Sequence, residues 1–282
     1  MIILDLSQVM LSNIMVQLGN HTNAQVEESM VRHMVLNSIR SYKNKFGAEY
    51  GELVIACDNK NYWRRQLFPY YKANRKKSRE TSEFDWKAIF DCLHKIRAEL
   101  KEVFPYRVID VESAEADDII GTLCREYGDM GEKILILSGD KDFIQLQRYL
   151  NVRQYDPVRK KFITHNDPDK FLFEHILKGD AGDGIPNVLS NDNCLVVGER
   201  QRPLTQKKID SLAGIAGSFD HPVFRNFKRN EQLIDLTKIP ANISEQIMES
   251  YKAQHGKKPN GLMNYFIANR LKNLMENVGE FV

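Results

Sequence analysis

The sequence predicts an α/β fold in which helices cover a parallel sheet, with a smaller and mostly helical lobe at the carboxyl end. Short apolar runs alternate with longer segments of helical spacing. The apolar runs lack the alternation of a strand with one face in water, so they are predicted to be buried on both faces. Strand-like runs stop near residue 165. We therefore expect one part over residues 1–178 and a second over residues 179–282.

Each element is predicted from its own stretch of sequence. The runs that predict buried strands are 2–4, 53–57, 106–109 and 134–137, and shorter strand-like pieces follow at 151–156 and 160–165. Two predicted helices have apolar faces, formed by Met30, Met34 and Ile39 in one and by Ile89, Leu93, Ile96 and Leu100 in the other. A helix is predicted over 168–178, and the glycine-rich stretch GDAGDGIPN that follows is predicted to end it and form a loop. The sequence ends with an amphipathic segment, NYFIANRLKNLMENV, followed by GEFV.

Composition excludes several protein classes. With 42% apolar and 28% charged residues, the chain has the balance of a globular protein. It shows neither a membrane-spanning run nor a signal-peptide pattern. The four cysteines form no C-x-x-C pair, which is expected of reduced thiols in a cytoplasm. We therefore expect a cytoplasmic protein, in the cytoplasm of the host if a phage encodes the chain. The seven histidines form no H-E-x-x-H pair, so we expect any metal ligands to be oxygen atoms.

Acidic residues follow three of the predicted strands. Asp5 ends the first strand, Asp58 ends the second, and Asp140 and Asp142 follow the strand at 134–137. In an open α/β sheet, functional groups gather beyond the carboxyl ends of the strands. A single aspartate after a strand is usually a turn residue. Several strand ends that place acids on one edge instead predict a shared site.

More acids lie in SAEADDIIG, where Ser113 is expected to cap a helix and Glu115, Asp117 and Asp118 to fall near its start. Acids there usually complement the helix dipole. Two like charges about 4 Å apart, however, repel by roughly 4 kcal/mol at an effective dielectric near 20. The combined set therefore needs a cation, and carboxylates suit Mg²⁺ or Mn²⁺. Two such ions about 4 Å apart recur in phosphodiester hydrolysis.

The positive charge is concentrated in one segment, WRRQLFPYYKANRKKSR, at residues 63–79. It carries seven Lys and Arg residues and no acid, whereas the rest of the chain has 33 basic and 38 acidic residues. Lys and Arg contact phosphates, and aromatic side chains stack on unpaired bases. The aromatic residues expected to stack are Trp63, Phe68, Tyr70 and Tyr71. A solvated basic helix face explains the same segment, and both interpretations stay open.

The motifs LDLSQ, IACDN, YWRR, YYKANR, EADD, LSGDKDF, LKGDAGD and NEQLIDLTKIP occur in this order along nearly the whole chain. In this the chain resembles the 5′-nuclease superfamily of flap endonucleases and 5′→3′ exonucleases, and within it the ribonuclease H group of T-even-type bacteriophages. The resemblance implies a PIN-like parallel-sheet nuclease domain over 1–178. It implies a helical arch at about 60–82 and a helix–hairpin–helix-like lobe over 179–282 for duplex contact.

The resemblance also implies roles for individual residues and two Mg²⁺ ions, with Mn²⁺ as a substitute. The implied metal ligands are Asp5, Asp58, Glu115, Asp117, Asp140, Asp142 and Asp183, of which Asp142 and Asp183 belong to the second ion. Asp118 and Asp180 are implied to lie outside the ligand shell. The implied substrate contacts are Arg64, Arg65, Tyr71, Lys72, Arg75 and Arg79. The implied catalytic residues are Lys72, at the scissile phosphate, with Asp117 and Asp140.

The activity implied is that of a monomeric 5′→3′ nuclease that cleaves RNA–DNA hybrids, duplex DNA and 5′ flaps and removes RNA primers during lagging-strand DNA replication. The implied partners are RNA–DNA hybrid, 5′-flap or forked DNA, with a single-stranded-DNA-binding protein or a sliding clamp as candidate protein partners and no membrane. For the C-terminal NVGEFV, a docking tail and a frayed end are both open.

One departure from the family and three alternatives remain. Gly184 stands where asparagine is common, and the segment after it lacks the G-x-G-x-K signature of a duplex-gripping hairpin, for which Arg200, Arg202, Lys207 and Lys208 are candidate replacements. A PIN-type endoribonuclease shares the acidic sheet edge. A haloacid-dehalogenase-type phosphatase requires D-x-D, which Asp5–Leu6–Ser7 does not provide. A catalytically inactive or weak nucleic-acid-binding protein on the same fold is the third.

Overall fold

The computed structural model describes residues 1–19, 26–82, 84–214 and 221–282. Its centre is a six-stranded sheet in the order β3-β2-β1-β4-β5-β6, in which every neighbouring pair is parallel except the antiparallel β5 and β6. This arrangement confirms the predicted α/β class. The strands are β1 (Ile2–Asp5), β2 (Leu53–Ala56), β3 (Arg107–Ile109), β4 (Ile134–Leu137), β5 (Val152–Asp156) and β6 (Lys161–Ile163).

Helices connect and cover the strands. Before β4 lie α1 (Leu6–Leu18), α2 (Glu28–Tyr50), α3 (Trp63–Leu67), α4 (Ala73–Glu80), α5 (Trp86–Val103) and α6 (Ala116–Gly128). A 3₁₀ helix (Lys141–Arg148) follows β4, and then come α7 (Pro168–Lys178), α8 (Cys194–Val197), α9 (Gln206–Gly214), α10 (His221–Ile234), α11 (Ala241–Ala253), α12 (Leu262–Ala268), α13 (Lys272–Met275) and a 3₁₀ helix (Val278–Phe281). Within the described ranges, none of these helices has the length and apolar character needed to cross a membrane.

The two faces of the sheet are both buried, as the apolar runs predict. In β1, Ile2 and Leu4 pack into a layer with α1, α2 and α5, whereas Ile3 packs into an opposite layer with α6 and α11. Burying such a side chain stabilises the fold by roughly 1.5–3 kcal/mol. The strands that carry the acidic residues at their ends are therefore held from both sides.

Three local predictions are wrong. Cys57 and Tyr106 lie just outside β2 and β3. Met30 is exposed, because the buried face of α2 is formed by Val31, Val35 and Ile39. Ser113 does not cap α6: its φ of 65° belongs to a turn, and Glu115 takes the cap position instead.

The C-terminal region divides between two places. Helices α9 and α10 pack on α7, whereas α12, α13 and the last 3₁₀ helix return to the sheet layer that contains Ile2. The amphipathic terminal segment is not one helix, since Arg270, with a φ of 55°, separates α12 from α13. Phe281 is fully buried against Phe104 and Phe266. The segment NVGEFV is therefore neither a frayed end nor a free docking tail.

We expect Phe281→Ala to lower the free energy of unfolding by about 3–5 kcal/mol, because the substitution leaves a cavity among packed rings. Urea denaturation followed by circular dichroism measures this loss. Val282→Ala is the matched control, since Val282 is 64% exposed, and it should change the stability by less than about 0.5 kcal/mol. Equal effects of the two substitutions would contradict the packed C-terminus.

Candidate active site at the carboxyl edge of the sheet

Five carboxylates line one cavity of about 380 Å³ at the carboxyl edge of the sheet. The edge collects them because β1, β2 and β4 are parallel neighbours. Asp5 ends β1, Asp58 follows β2, Asp140 follows β4, and the start of α6 contributes Asp117. The fifth, Asp183, comes from the loop after α7, and Lys72 and Arg75 line the same cavity.

Hydrogen bonds fix the orientation of two of these carboxylates. Ser7 Oγ donates to Asp58 Oδ2 at 2.5 Å, and the backbone N–H of Ala116 donates to Asp58 Oδ1 at 2.9 Å. Ser138 Oγ donates to Asp5 Oδ2 at 3.0 Å. Sequence reasoning missed both serines. Their hydroxyls hold the carboxylates at the cavity without adding charge.

Burial and mutual repulsion oppose ionisation of the carboxyl groups that line the cavity. Burial, reinforced by the charge of Asp58, raises the pKa of Asp5 to about 7. Burial and the charge of Asp142 raise the pKa of Asp140 to about 6. The pKa of Asp117 is raised well above its usual value by burial and by Asp140. A bound divalent cation would favour the ionised form of these carboxyl groups. Carboxylate oxygens are ligands that suit a cation such as Mg²⁺.

Behind the cavity lies a buried cluster that the sequence did not predict. Arg64 Nη1 lies 2.9 Å from Glu115 Oε2 and 2.8 Å from Asp118 Oδ1, and its Nε donates to the carbonyl of Leu233 at 2.9 Å. Tyr71 Oη donates to Glu115 Oε2 at 2.9 Å. The side chains of Arg64 and Tyr71 are thus enclosed and do not line the acidic cavity, and their role as substrate contacts stays a prediction.

Glu115 occupies a different position from the other predicted metal ligands. Its side chain is fully buried, and its oxygens accept from Arg64, Tyr71 and Lys72 rather than face the cavity. With Asp118 it forms a capping box at the start of α6. Asp118 Oδ2 also accepts from Trp63 Nε1 at 3.1 Å. Glu115 therefore lies directly behind the cavity, where it organises the neighbouring side chains, and its role as a metal ligand stays a prediction.

Lys72 reaches the acids from the turn before α4. Its Nζ lies 2.5 Å from Glu115 Oε1 and 3.5 Å from Asp183 Oδ2. Burial alone would lower the pKa of Lys72, but the charges of Glu115 and Asp183 outweigh it, so the pKa is raised and the ammonium group stays charged. Arg75 pairs with the other oxygen of Asp183. Both basic groups therefore point into the acidic cavity.

The loop after α7 seats directly on this turn. The backbone N–H of Lys72 donates to the carbonyl of Asp183 at 2.7 Å. Gly184 has a φ of 74°, and a Cβ built on it would lie 2.7 Å from the carbonyl oxygen of Tyr70. A side chain would force the two segments apart. The close approach and the positive φ together favour glycine at this position.

A second cavity, of about 310 Å³, lies beside the first beneath α4 and α5. The basic residues that line it are Lys60, Lys72, Arg75, Arg79, His94 and Arg97. The guanidinium of Arg79 lies 4.8 Å from the ring centre of Phe90, and Arg65 is exposed beside Tyr62. The two cavities share Ser7, Leu11, Asp58, Lys72 and Arg75.

The predicted aromatic stacking surface is mostly wrong. Trp63, Phe68 and Tyr71 are buried in apolar or ion-pair surroundings. Tyr70 is only partly exposed and packs edge-on against Phe68. Aromatic character in a basic segment indicated base stacking, but here three of the rings anchor the segment to the protein.

The remaining predicted acids form a group with a histidine that sequence reasoning missed. His175 Nε2 lies 2.9 Å from Asp142 Oδ1 and 3.8 Å from Asp180 Oδ2, and Lys141 Nζ lies 3.0 Å from Asp180 Oδ2. Among the residues that the structure describes, this is the group of three whose potential ligand atoms all lie within 4.8 Å of one another. The search for paired histidines overlooked it, because its other members are aspartates.

Comparisons with known proteins agree on one family. A model described as the 5′-3′ exonuclease N-terminal resolvase-like domain matches residues 2–174, and one described as the T4 RNase H C-terminal domain matches residues 168–281. The ribonuclease H of Enterobacteria phage T4 is 34% identical over 291 residues, which cover 99% of this chain and 95% of that protein. A 5′-3′ exonuclease of Buchnera aphidicola (subsp. Acyrthosiphon pisum) is 31% identical over 161 residues, which cover 54% of this chain and 51% of that protein.

A solved structure shares the fold at low sequence identity. The bacteriophage T5 D15 flap endonuclease, crystallised as a pseudo-enzyme-product complex with DNA and metal ions, superposes with a TM-score of 0.63 at 16% identity. The alignment covers 90% of this chain and 98% of that chain.

The raised carboxylate pKa values make the stability of the metal-free protein dependent on pH. A carboxyl group whose pKa rises on folding contributes its full stabilisation below its unfolded pKa, near 4, and loses it as the pH rises through the folded pKa. For Asp140 and Asp5 the loss falls between about pH 4 and pH 7. In EDTA, we therefore expect these groups to destabilise the protein at pH 8 relative to pH 5.5. Mg²⁺ should accordingly raise the melting temperature more at pH 8.

Thermal unfolding of Asp5→Asn tests the origin of this effect. In EDTA at pH 8 the variant should melt at a higher temperature than the wild type, because it lacks a carboxyl group whose ionised form is unfavourable in this buried position. The increase in melting temperature caused by Mg²⁺ should be smaller for the variant. Asp210→Asn, at an exposed position of α9, should behave as the wild type. Equal Mg²⁺ responses at both pH values in the wild type would contradict the expectation.

Proposed function

The chain belongs to the 5′-3′ exonuclease family, in agreement with its motifs, and from this membership we propose that it is a metal-dependent 5′→3′ nuclease for RNA–DNA hybrids, duplex DNA and 5′ flaps. As a member it is a hydrolase that acts on nucleic acids. We propose that it removes RNA primers during lagging-strand DNA replication. The support for this role is that a relative aligned with 99% of the chain is a ribonuclease H.

The observation that carries the proposal is the pairing of the two adjoining cavities. One is lined by five carboxylates with raised pKa values among them, and the other is lined by five Lys and Arg side chains and by His94. Cations bind at the first, and a phosphate backbone is attracted to the second. Lys72 and Arg75 line both cavities. A phosphodiester drawn along the basic cavity thus arrives beside the carboxylates.

We propose that the carboxylates bind two divalent ions, Mg²⁺ with Mn²⁺ as a substitute. Asp5, Asp58, Asp117 and Asp140, with Glu115 behind them, would hold the first ion, and Asp142 and Asp183 the second. When bound, the ions lower the pKa of an attacking water and stabilise charge on the leaving oxygen. Glu115 is proposed to position Lys72, and Asp118 and Asp180 to orient neighbouring groups.

Lys72 and Arg75 are proposed to exchange partners during the reaction. Both now compensate acids of the cavity, through Glu115 and Asp183. Cations at the carboxylates would take over that compensation and leave the two basic groups for the scissile phosphate. The backbone N–H of Lys72 donates to the carbonyl of Asp183, and we propose that this bond keeps the residue beside the cavity in both states. This makes it an electrostatic stabiliser of the developing negative charge.

The path of the substrate follows from the positions of the other basic residues. We propose that the single-stranded 5′ end passes beneath the arch through the basic cavity, with Arg65 and Arg79 near its outer rim. Duplex contact is proposed for the C-terminal lobe. Its candidate basic residues, Arg200 and Arg202 before α9 and Lys207 and Lys208 within it, are all exposed. A sliding clamp or a single-stranded-DNA-binding protein is proposed as a partner at the replication fork.

Asp117→Asn should reduce cleavage by about 10³-fold, because losing one ligand removes several kcal/mol of metal-dependent stabilisation. The assay uses a 5′-labelled RNA–DNA hybrid and a 5′-flap DNA, with Mg²⁺ or with EDTA. Short 5′ products are expected from the wild type only with Mg²⁺. A wild type that binds both substrates and cleaves neither would favour the binding-protein alternative, and cleavage within single-stranded RNA alone would favour the PIN-type endoribonuclease.

Lys72→Ala should lower kcat by about 10²-fold, the usual cost of removing one stabilising donor at a reacting oxyanion. Substrate binding should weaken far less, since the other basic residues remain. Lys161→Ala, at an exposed position of β6, is the matched control and should keep wild-type kinetics. If Lys72→Ala raised KM alone, its role would be uniform binding and not stabilisation of the transition state.

A further inference from the structure

We propose that Asp142, His175 and Asp180 form a mixed nitrogen–oxygen site that binds a transition-metal cation of the Mn²⁺ type in preference to Mg²⁺. The inference rests on the proposed function in one respect, because Asp142 is also the ligand assigned there to the second ion. It departs from that assignment by making Asp180 a ligand as well, and it departs in its chemistry. A neutral imidazole nitrogen is a good ligand for first-row transition metals, whereas Mg²⁺ favours oxygen ligands.

The three side chains already point toward a common centre. His175 Nε2 lies 2.9 Å from Asp142 Oδ1 and 3.8 Å from Asp180 Oδ2, and all three potential ligand atoms fit within 4.8 Å. Ligand atoms about 2.0–2.2 Å from one ion are separated by up to about 4 Å. The group therefore needs only a small contraction to coordinate one cation.

Each member is held in place by its own element. His175 lies in the last turn of α7, is 6% exposed and packs against Phe171 with ring centres 5.8 Å apart. Asp180 Oδ1 accepts from the backbone N–H of Gly182 at 2.8 Å, which leaves Oδ2 to face the histidine. Such outer contacts preorganise metal ligands and limit the entropy lost on binding.

A displaceable cation already occupies the open side of the group. Lys141 Nζ lies 3.0 Å from Asp180 Oδ2, but the Lys141 side chain is 54% exposed. Its ammonium group can therefore turn to solvent at little cost when a divalent ion arrives. Removal of this one side chain would open the site without altering the three ligands.

Pulsed electron paramagnetic resonance of Mn²⁺ added to the full chain in the absence of nucleic acid tests the nitrogen ligand directly. At pH 8, the wild type should show ¹⁴N coupling from an imidazole, and His175→Gln should abolish it. His33→Gln, which changes a histidine of α2 far from the site, should retain the coupling. Absence of coupling in wild-type protein that binds Mn²⁺ would overturn the proposal.

Titration calorimetry with Mn²⁺ and with Mg²⁺ separates ligation from a structural role. His175→Gln should weaken Mn²⁺ binding about tenfold or more and change Mg²⁺ binding much less. Equal losses for both ions would mean that His175 only positions Asp142, and would overturn the proposal. Thermal unfolding of the variant checks that it is folded. If the coupling appears but neither ion supports cleavage of nucleic acid, the proposed function fails while the mixed site stands.

Discussion

The ion pair of Arg64 with Glu115 and Asp118 is the interaction on which the arrangement of the site depends. It is fully buried, and through the carbonyl of Leu233 it also ties α3 to α10. Removing one partner of such a pair costs about 3–5 kcal/mol, because the other charge stays buried without compensation. Glu115, once fixed by Arg64, orders Lys72 and with it the turn before α4. The geometry at the cavity is thus set from behind it.

The positive charges around the acids fall into two kinds. Arg64 is enclosed, donates hydrogen bonds to Glu115 and to the carbonyl of Leu233, and is ion-paired with Asp118, so its charge is committed to the fold. Arg75 and Lys141 pair with acids through side chains that are about half exposed. These two can be released when a cation replaces them, since surface ion pairs contribute little free energy. The buried charge of Arg64 stabilises the fold, whereas the exposed charges of Arg75 and Lys141 can give way to ligands of the neighbouring acids.

The sequence predicts the sheet, its buried strands and the acids at their carboxyl ends, because these depend on local apolar runs and on a topological rule. It does not predict which charges are buried. Arg64 looks like a phosphate contact in a basic run, and only its approach to Leu233, 169 residues away in the chain, reveals the enclosed ion pair. His175 escaped for a related reason, since its partners Asp142 and Asp180 lie on separate elements. The burial of Phe281 likewise requires contacts with Phe104, just after α5, and with Phe266 of α12, which no short pattern contains.

The repulsion among the acids acts on the least yielding part of the molecule. Asp5 lies at the end of β1, whose residues are buried on both faces, and β1 is paired with β2 and β4 on either side. The backbone there cannot move the carboxylates apart without disrupting both apolar layers, and close-packed interiors transmit strain instead of absorbing it. A carboxylate at this edge can therefore reduce the repulsion only by taking up a proton or a cation. Because the rigid core holds the carboxylates close together, their mutual repulsion favours the binding of a metal cation.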